Sequence, residues 1–406
     1  MNCKRLLALL IIAALAGTLS TGCWNRREPE LLGVVLAVGF DYDEESGSYQ
    51  IFAQLANPVA MGGSGGESSS GSGGGGGEKA FWTIEAKGPT PFAAVRNLIG
   101  TSSRALFWPH CRVLLLSEKV ARQGVAEIFD LFERGRQFRL IVKPAVVQGD
   151  LQKIMKASFP LEETGARGLD RLVLTTRFDR SIFPEKNLNE LIATHAQTGK
   201  EMLIGRLEVL ETADEGAGDG GSSPPPARLC GSALFRGDRM VGWASAKQVQ
   251  GWTYGSGRVF RSTLLVALPA EENRHVSIET YSHTARMSLH GDEENWWIEM
   301  KVKLHGRIQE FDGPGKLDAE NKLTHSLERR AAQAVRNDIE AMFNRSQELR
   351  ADIFGFGNLI YRKNPQLWQQ IRSRWDEEIF PQLKVELTVE FDILHTGMVK
   401  DSLRED

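Results

Sequence analysis

Cysteine, net charge and long apolar runs are all scarce in this 406-residue chain, and each scarcity removes a class of protein. Only four cysteines occur, at Cys3, Cys23, Cys111 and Cys230, too few for the disulfide framework that staples a small secreted fold. Lys and Arg total 49 against 52 Asp and Glu, so there is no basic excess to neutralise phosphates, and nucleic acid is not an expected partner. The apolar stretch Leu6 to Leu19 would rise about 21 Å as a helix, short of a hydrocarbon core of roughly 30 Å. The eight histidines form no H-E-x-x-H, the cysteines have no paired zinc spacing, and no Walker glycine-lysine loop is present. Neither a metal centre, a cofactor nor enzymatic catalysis is expected. What remains is an ordinary globular chain with length for two or three domains.

At the amino end, Lys4 and Arg5, the apolar run and Leu19-Ser20-Thr21-Gly22 have the charged, apolar and small-residue order of an export signal over residues 1–22. The cysteine that follows resembles a bacterial lipoprotein processing site, in which Cys23 becomes the first residue and carries lipid. Ser20 stands where such sites usually have Leu. The other reading is an ordinary signal peptide, or an uncleaved anchor, with an incidental cysteine. Lipid suffices for attachment: each buried methylene contributes about 0.8 kcal/mol, and two acyl chains give stable anchoring.

The pattern downstream predicts an α/β (α+β) chain of three domains, each a mixed or antiparallel sheet flanked by helices. Domain one, residues 23–160, opens with a hairpin of Leu31–Phe40 and Tyr49–Ala56 and regains strand character at Phe81–Ala86. The Gly/Ser segment 62–77 between them cannot pack and reads as a swollen, disordered hairpin loop. A helix from Pro91, a strand from Arg112, a helix over Val120–Glu133 and a strand Leu140–Gln148 follow, and Asp150 caps a last short helix. Domain two, residues 161–257, has two helices before Gln197, then strands Met202–Leu210, Leu229–Phe235 and Met240–Ala244, with a disordered insertion at 212–227. In domain three, residues 258–400, strands Thr263–Ala267, Val276–Leu289 and Trp296–Ile308 precede a long helix. That helix carries Leu323, Leu327, Ala331, Val335, Ile339 and Phe343 at i+4 steps. The terminal strand alternates Val385, Leu387, Val389, Phe391 and Ile393 with polar residues, which predicts a helix on one face of an antiparallel sheet. Residues 401–406 are a tail.

Candidate chemistry is thin. The acidic turn Asp41 to Gly47 is not a calcium loop, because Phe52 stands where the twelfth-position carboxylate is needed. His110 and Cys111 as base and nucleophile would be neighbours along a strand, which point to opposite faces. The thiols of Cys111 and Cys230 are expected buried and free. Asp130, Arg134 and Arg139 read either as a guanidinium contact for a partner or as an i,i+4 ion pair beside a strand-flanking arginine. Phe107 and Trp108 are either an exposed aromatic contact or core residues at a strand end.

Taken in order, several stretches resemble one family, the Ger(x)C lipoproteins, the C subunits of the nutrient-germinant receptors of spore-forming bacteria. They are Gly22-Cys23-Trp24-Asn25-Arg26-Arg27-Glu28, Val38-Gly39-Phe40-Asp41 and Arg104-Ala105-Leu106-Phe107-Trp108-Pro109-His110. Next come Asp130, Arg134 and Arg139, Gly231-Ser232-Ala233-Leu234-Phe235, Val241-Gly242 and Asp352-Ile353-Phe354-Gly355-Phe356-Gly357. Trp368, Trp375 and Thr396-Gly397 complete the set. Asn25, Pro109, Gly135 and Gln137 depart from the family's usual residues. The resemblance implies three α/β domains and a non-enzymatic subunit on the outer face of the spore inner membrane. It would be held there by lipid on Cys23 and work with two integral-membrane subunits, of A and B type, to trigger germination. Phe107, Trp108, His110, Arg134 and Arg139 are the candidate partner contacts. The rival is an extracytoplasmic lipoprotein that holds a small molecule, the nutrient, in an interdomain cleft.

Overall fold

The computed structural model describes residues 31–57, 80–159, 161–210, 227–258, 261–268, 274–292, 294–311 and 322–395. The leader with Cys23, the 62–77 insertion, all of the second insertion but Ala227, and the C-terminal tail lie outside the described residues.

Strands β1 (Leu32–Asp43) and β2 (Ser48–Ala56) form the expected hairpin, with Tyr42 opposite Tyr49. Its acidic turn is closed from within, because Asp43 Oδ1 accepts the N–H groups of Glu45 and Ser46. Strand β3 (Phe81–Gly88) joins the free edge of β2, so the first low-complexity segment connects two paired neighbours. The short β4 (Ala105–Phe107) and then β5 (Val113–Ser117) lie parallel to β1, and β6 (Lys143–Gln148) lies parallel to β5. All five residues of β5 are buried, as a central parallel strand covered on both faces requires.

Helices cover both faces. On one, α1 (Pro91–Leu98), α2 (Glu118–Gln123), α3 (Ala126–Arg134) and α6 (Leu188–His195) pack Leu98, Val120, Ile128, Phe132 and Leu191 against Leu114 and Leu116. On the other, α4 (Leu151–Lys156) and α5 (Gly165–Arg180) pack Leu151, Met155, Leu169 and Val173 against Val113 and Leu115. Pro91 opens its helix and Asp150 caps its own as the sequence predicts, and the Thr90 side chain supplies the cap before Pro91. The single helix expected over Val120–Glu133 is two. Gly124, at φ 133°, turns the chain between α2 and α3, and Val125 N–H then donates to Asp238 O at 3.0 Å. A side chain at Gly124 would collide with the Asp238 carboxylate.

The number of sheets also differs from expectation. Strand β7 (Leu203–Val209) lies parallel to β6, β8 (Ala227–Arg236) is antiparallel to β7, and β9 (Arg239–Ala244) is antiparallel to β8. Strands allotted by sequence to a first and a second sheet therefore share one, in the order β3-β2-β1-β5-β6-β7-β8-β9 with β4 beside β1. The hydrophobic pattern reports which face of a strand is dry, and says nothing of which edge it offers a neighbour.

The second sheet runs β10 (Ser262–Ala267), β11 (His275–Gly291), β12 (Trp296–Phe311) and β13 (Val385–His395). Its first two pairings are antiparallel, but β12 and β13 are parallel, so the sheet is mixed rather than antiparallel. A parallel neighbour needs a crossover, supplied by α8 (Lys322–Glu348), α9 (Phe356–Lys363) and α10 (Pro365–Ile371). Ile298, Met300, Val302 and Leu304 are buried as their alternation predicts. On α8 the i+4 stripe is buried from Leu327 through Ile339, but at its ends Thr324 rather than Leu323 and Met342 rather than Phe343 are buried. Each i+4 step overshoots a full turn by about 40°, so the stripe rotates off the core. Phe343 packs edge-on against Phe354, Phe356 and Phe380 instead.

Between the sheets lies α7 (Ala246–Ser256), which the hydrophobic pattern does not announce. Its signature is local: Ser245 and Gln248 form a reciprocal capping box. It packs on α8 so closely that a side chain at Gly251 would overlap the backbone of Asp338. The core around Trp252 draws Leu203 and Leu234 from the first sheet together with Met300 and Val302 from the second. A protease nick placed between residues 211 and 226 should therefore leave both fragments in one gel-filtration peak, separating only in denaturant. Separation under native conditions would contradict the shared sheet.

Candidate functional site

Two regions gather several of the residues singled out by sequence, and the first is the corner where β1 begins. There Val34 lies opposite Phe107 of β4. Trp108 is buried, its ring 5.0 Å from Phe138, which in turn lies 4.5 Å from Phe132, so Trp108 is a core residue. Phe107 is half-buried, with its ring 5.5 Å from that of exposed His110. His110 lines a cleft of about 650 Å³ with Arg112, Glu163, Arg167, Asp170 and Arg171 above Val34 and Leu36. Arg134 and Arg139 are not part of this cleft: Arg134 forms the i,i+4 pair with Asp130 at 2.7 Å, and Arg139 is exposed on the loop after α3. Arg112, Arg167 and Arg171 escape sequence reasoning because β5 and α5 bring them together from distant stretches.

The Cys111 thiol is not suited to nucleophilic work in this arrangement. Cys111 is buried, donates to Val113 O at 3.5 Å, and burial pushes its pKa up to about 12. His110 is exposed while Cys111 faces the core. Cys230 is free but only half-buried, a correction to the expected burial, and Arg206 Nη2 lies 3.3 Å from its sulfur. Among the described residues no group of three or more His, Cys, Asp or Glu side chains could hold a metal ion. Nor is any helix among them long and apolar enough to cross a membrane.

The second region is the turn Asp352-Ile353-Phe354-Gly355-Phe356-Gly357 after α8. Asp352 is buried, and its carboxylate accepts the N–H groups of Gly355, Phe356 and Gly357 at 2.7, 3.1 and 2.7 Å. Burial lifts this carboxyl to about 6 against the pull of those three donors. The Asp352 carbonyl accepts Glu201 N–H at 2.9 Å, and Gly199 O accepts Asn358 N–H at 2.8 Å. Ile353 O receives the Trp252 indole N–H at 3.3 Å. The turn thus joins the segment leading into β7, helix α7 and the far side of the second core. Its glycines are obligatory: Gly355 has φ 82°, and a side chain on Gly357 would press on Trp375 and on the Gly199 carbonyl. Sequence marks this hexapeptide only through resemblance, since its partners are remote.

Two descriptions of one protein family match the chain in succession, the spore germination protein N-terminal domain over residues 25–209 and the spore germination B3/GerAC-like C-terminal domain over 230–397. The chain belongs to the GerAC-like family of spore germination proteins. Full-length relatives from Bacillus subtilis (strain 168) include spore germination protein KC, 23% identical with 99% of each chain covered. Spore germination protein YndF is 24% identical with 98% of each covered, and the putative spore germination protein YfkR is 23% identical with 94% of each covered. The crystal structure of the GerBC protein shares the fold, at TM-score 0.53 and 17% identity over 88% of this chain and 98% of that one. Family membership gives this chain a role in spore germination receptors. The first family segment ends with β7 and the second begins within β8, so their boundary falls inside the first sheet.

Replacing Asp352 by Ala strands three buried N–H groups and should lower the unfolding free energy by about 3–4 kcal/mol. Asp352→Asn, which keeps one acceptor oxygen, should cost less. Denaturant titration of the two variants checks the order, and equal stabilities for Ala and wild type would refute it.

Proposed function

We propose that this chain is a lipid-anchored, non-enzymatic subunit of a nutrient-germinant receptor complex, acting through protein–protein contacts with integral-membrane subunits of A and B type. Its place is the outer face of the spore inner membrane, or of the bacterial cell membrane. The observation that carries the reading is the match to both family segments across nearly the whole chain after residue 24. The leader supplies the anchor: residues 1–22 act as a signal peptide and Cys23 carries the lipid. The division of the chain into residues 23–160, 161–257 and 258–400 belongs to the same reading, with the first two segments contributing strands to one sheet.

The tether is short. Nine residue steps separate Cys23 from Leu32, which span at most about 32 Å. The start of β1, and with it the corner that holds Phe107, His110 and the arginine-lined cleft, must then stay within that distance of the lipid. Arg112 and Arg171 are exposed there, where anionic headgroups or acidic loops of a membrane subunit would meet them. Arg134 and Arg139 offer guanidinium groups on a separate surface.

In spores carrying Cys23→Ala, the chain should leave the membrane fraction and nutrient-triggered germination should fall severalfold or more. If attachment and germination both persisted, the anchoring claim would be wrong. Arg112→Ala with Arg171→Ala should weaken association with the membrane subunits at least about threefold in co-purification while leaving thermal stability within about 1 kcal/mol of wild type. Unchanged association would exclude the cleft as a contact.

A further inference from the structure

In the cleft beside the start of β1, the carboxylates are already engaged. Arg167 takes both Glu162 and Glu163 at 3.1 Å, while Lys143 takes Asp170 at 2.8 Å and Glu185 at 3.7 Å. The two carboxylates on the cleft wall, Glu163 and Asp170, are therefore held by cations other than Arg112 and Arg171. Those two arginines line the cleft, are exposed, and form no ion pair among the described residues. Both guanidinium groups spring from fixed backbone. Arg112 donates its N–H to Leu36 O and its carbonyl accepts Lys143 N–H, each at 2.9 Å, and Arg171 stands on α5.

An unpaired arginine in water is ordinary by itself; apolar surface adjoins these two. Val34, Leu36 and Leu174 lie on the wall of the same cleft. Leu161 is 95% exposed two residues before Glu163, and Leu31 is 63% exposed three residues before Val34. The tether from Cys23, at most about 32 Å long, ends at this corner. We propose that the corner is the face the protein lays on the bilayer, with Arg112 and Arg171 receiving the phosphates of anionic phospholipids and Leu31 and Leu161 entering the interface beside them. This docking rests on the anchor reading for its geometry, since the tether is what brings the corner to the lipid.

The planar guanidinium fork matches the free oxygens of a phosphodiester. Attraction of basic side chains to anionic headgroups is a recurrent second signal beside a covalent lipid, and it fixes orientation where the lipid alone does not. An acidic protein loop would satisfy the arginines only, whereas a lipid surface takes the exposed leucines as well.

The test reconstitutes the full chain, purified from membranes in detergent, into vesicles of phosphatidylcholine alone or with one quarter phosphatidylglycerol. A polarity-sensitive fluorophore on Leu161→Cys, in a Cys230→Ser background, reports contact of the corner with lipid. The same fluorophore on Tyr361→Cys, exposed on α9, is the control. The Leu161 signal should turn apolar on phosphatidylglycerol vesicles and revert at about 1 M salt, where the Debye length is about 3 Å, while the Tyr361 signal stays unchanged. Arg112→Ala with Arg171→Ala should lower the ratio of docked to undocked chain about thirtyfold, at about 1 kcal/mol per guanidinium. Arg112→Lys with Arg171→Lys should keep most of the docking, and neither exchange threatens the fold, since both side chains are exposed and unpaired. Flotation with both vesicle types beside an unchanged Leu161 signal would overturn the docking face and leave the anchor standing. Docking that needs Arg112 and Arg171, in a chain that does not float with phosphatidylcholine, would support the face and overturn the anchor. A Leu161 signal equal on the two vesicle types, or unaltered by the alanine pair, would overturn the proposal. So would lost subunit association in the alanine pair without any docking on vesicles, which would assign the arginines to an acidic loop of a membrane subunit.

Discussion

Strand β7 is the constraint on which the rest of the molecule depends. It is parallel to β6 on one edge and antiparallel to β8 on the other, and its side chains reach all three buried clusters. Ile204 enters the core on the α3 side, Leu207 the core on the α5 side, and Leu203 the core shared with the second sheet. Gly205 between them leaves room for the Phe183 ring against the strand backbone. Neither half of the chain buries its apolar surface without this strand and its pairings.

The Asp352 turn reinforces the same seam from the other side. By accepting three N–H groups with its carboxylate and the Glu201 N–H with its carbonyl, Asp352 ties the segment before β7 to the elements after α8. Strand β1, the first strand after the tether proposed at Cys23, lies in the same sheet as β7.

Much of this was legible in the residues. Alternation in Trp296 to Leu304 and the apolar stripe of α8 named their elements and their buried faces, because those periods are properties of the segment itself. What escaped depends on remote partners. The joining of β6 to β7 concerns strand edges, which carry no side-chain code. The break at Gly124 answers to Asp238, over a hundred residues away, and the parallel placing of β13 follows from the crossover it must make. The same holds for sites. His110 is exposed at the corner beside Phe107, whereas Trp108 lies in the core through its contact with Phe138, which is remote in sequence. The grouping of Arg112, Arg167 and Arg171 at one cleft comes from separate segments whose spacing bears no motif.

The central structural claim is that β7 makes the two family segments one cooperative unit. Native-state hydrogen exchange on the full chain tests it most directly, through the opening free energies of amides in β5, β7, β8 and β12. A single shared value, equal to that of global unfolding, is the predicted result. A distinctly lower value for β1 to β7, with β8 to β13 still protected, would show that the segments open independently and would contradict the account.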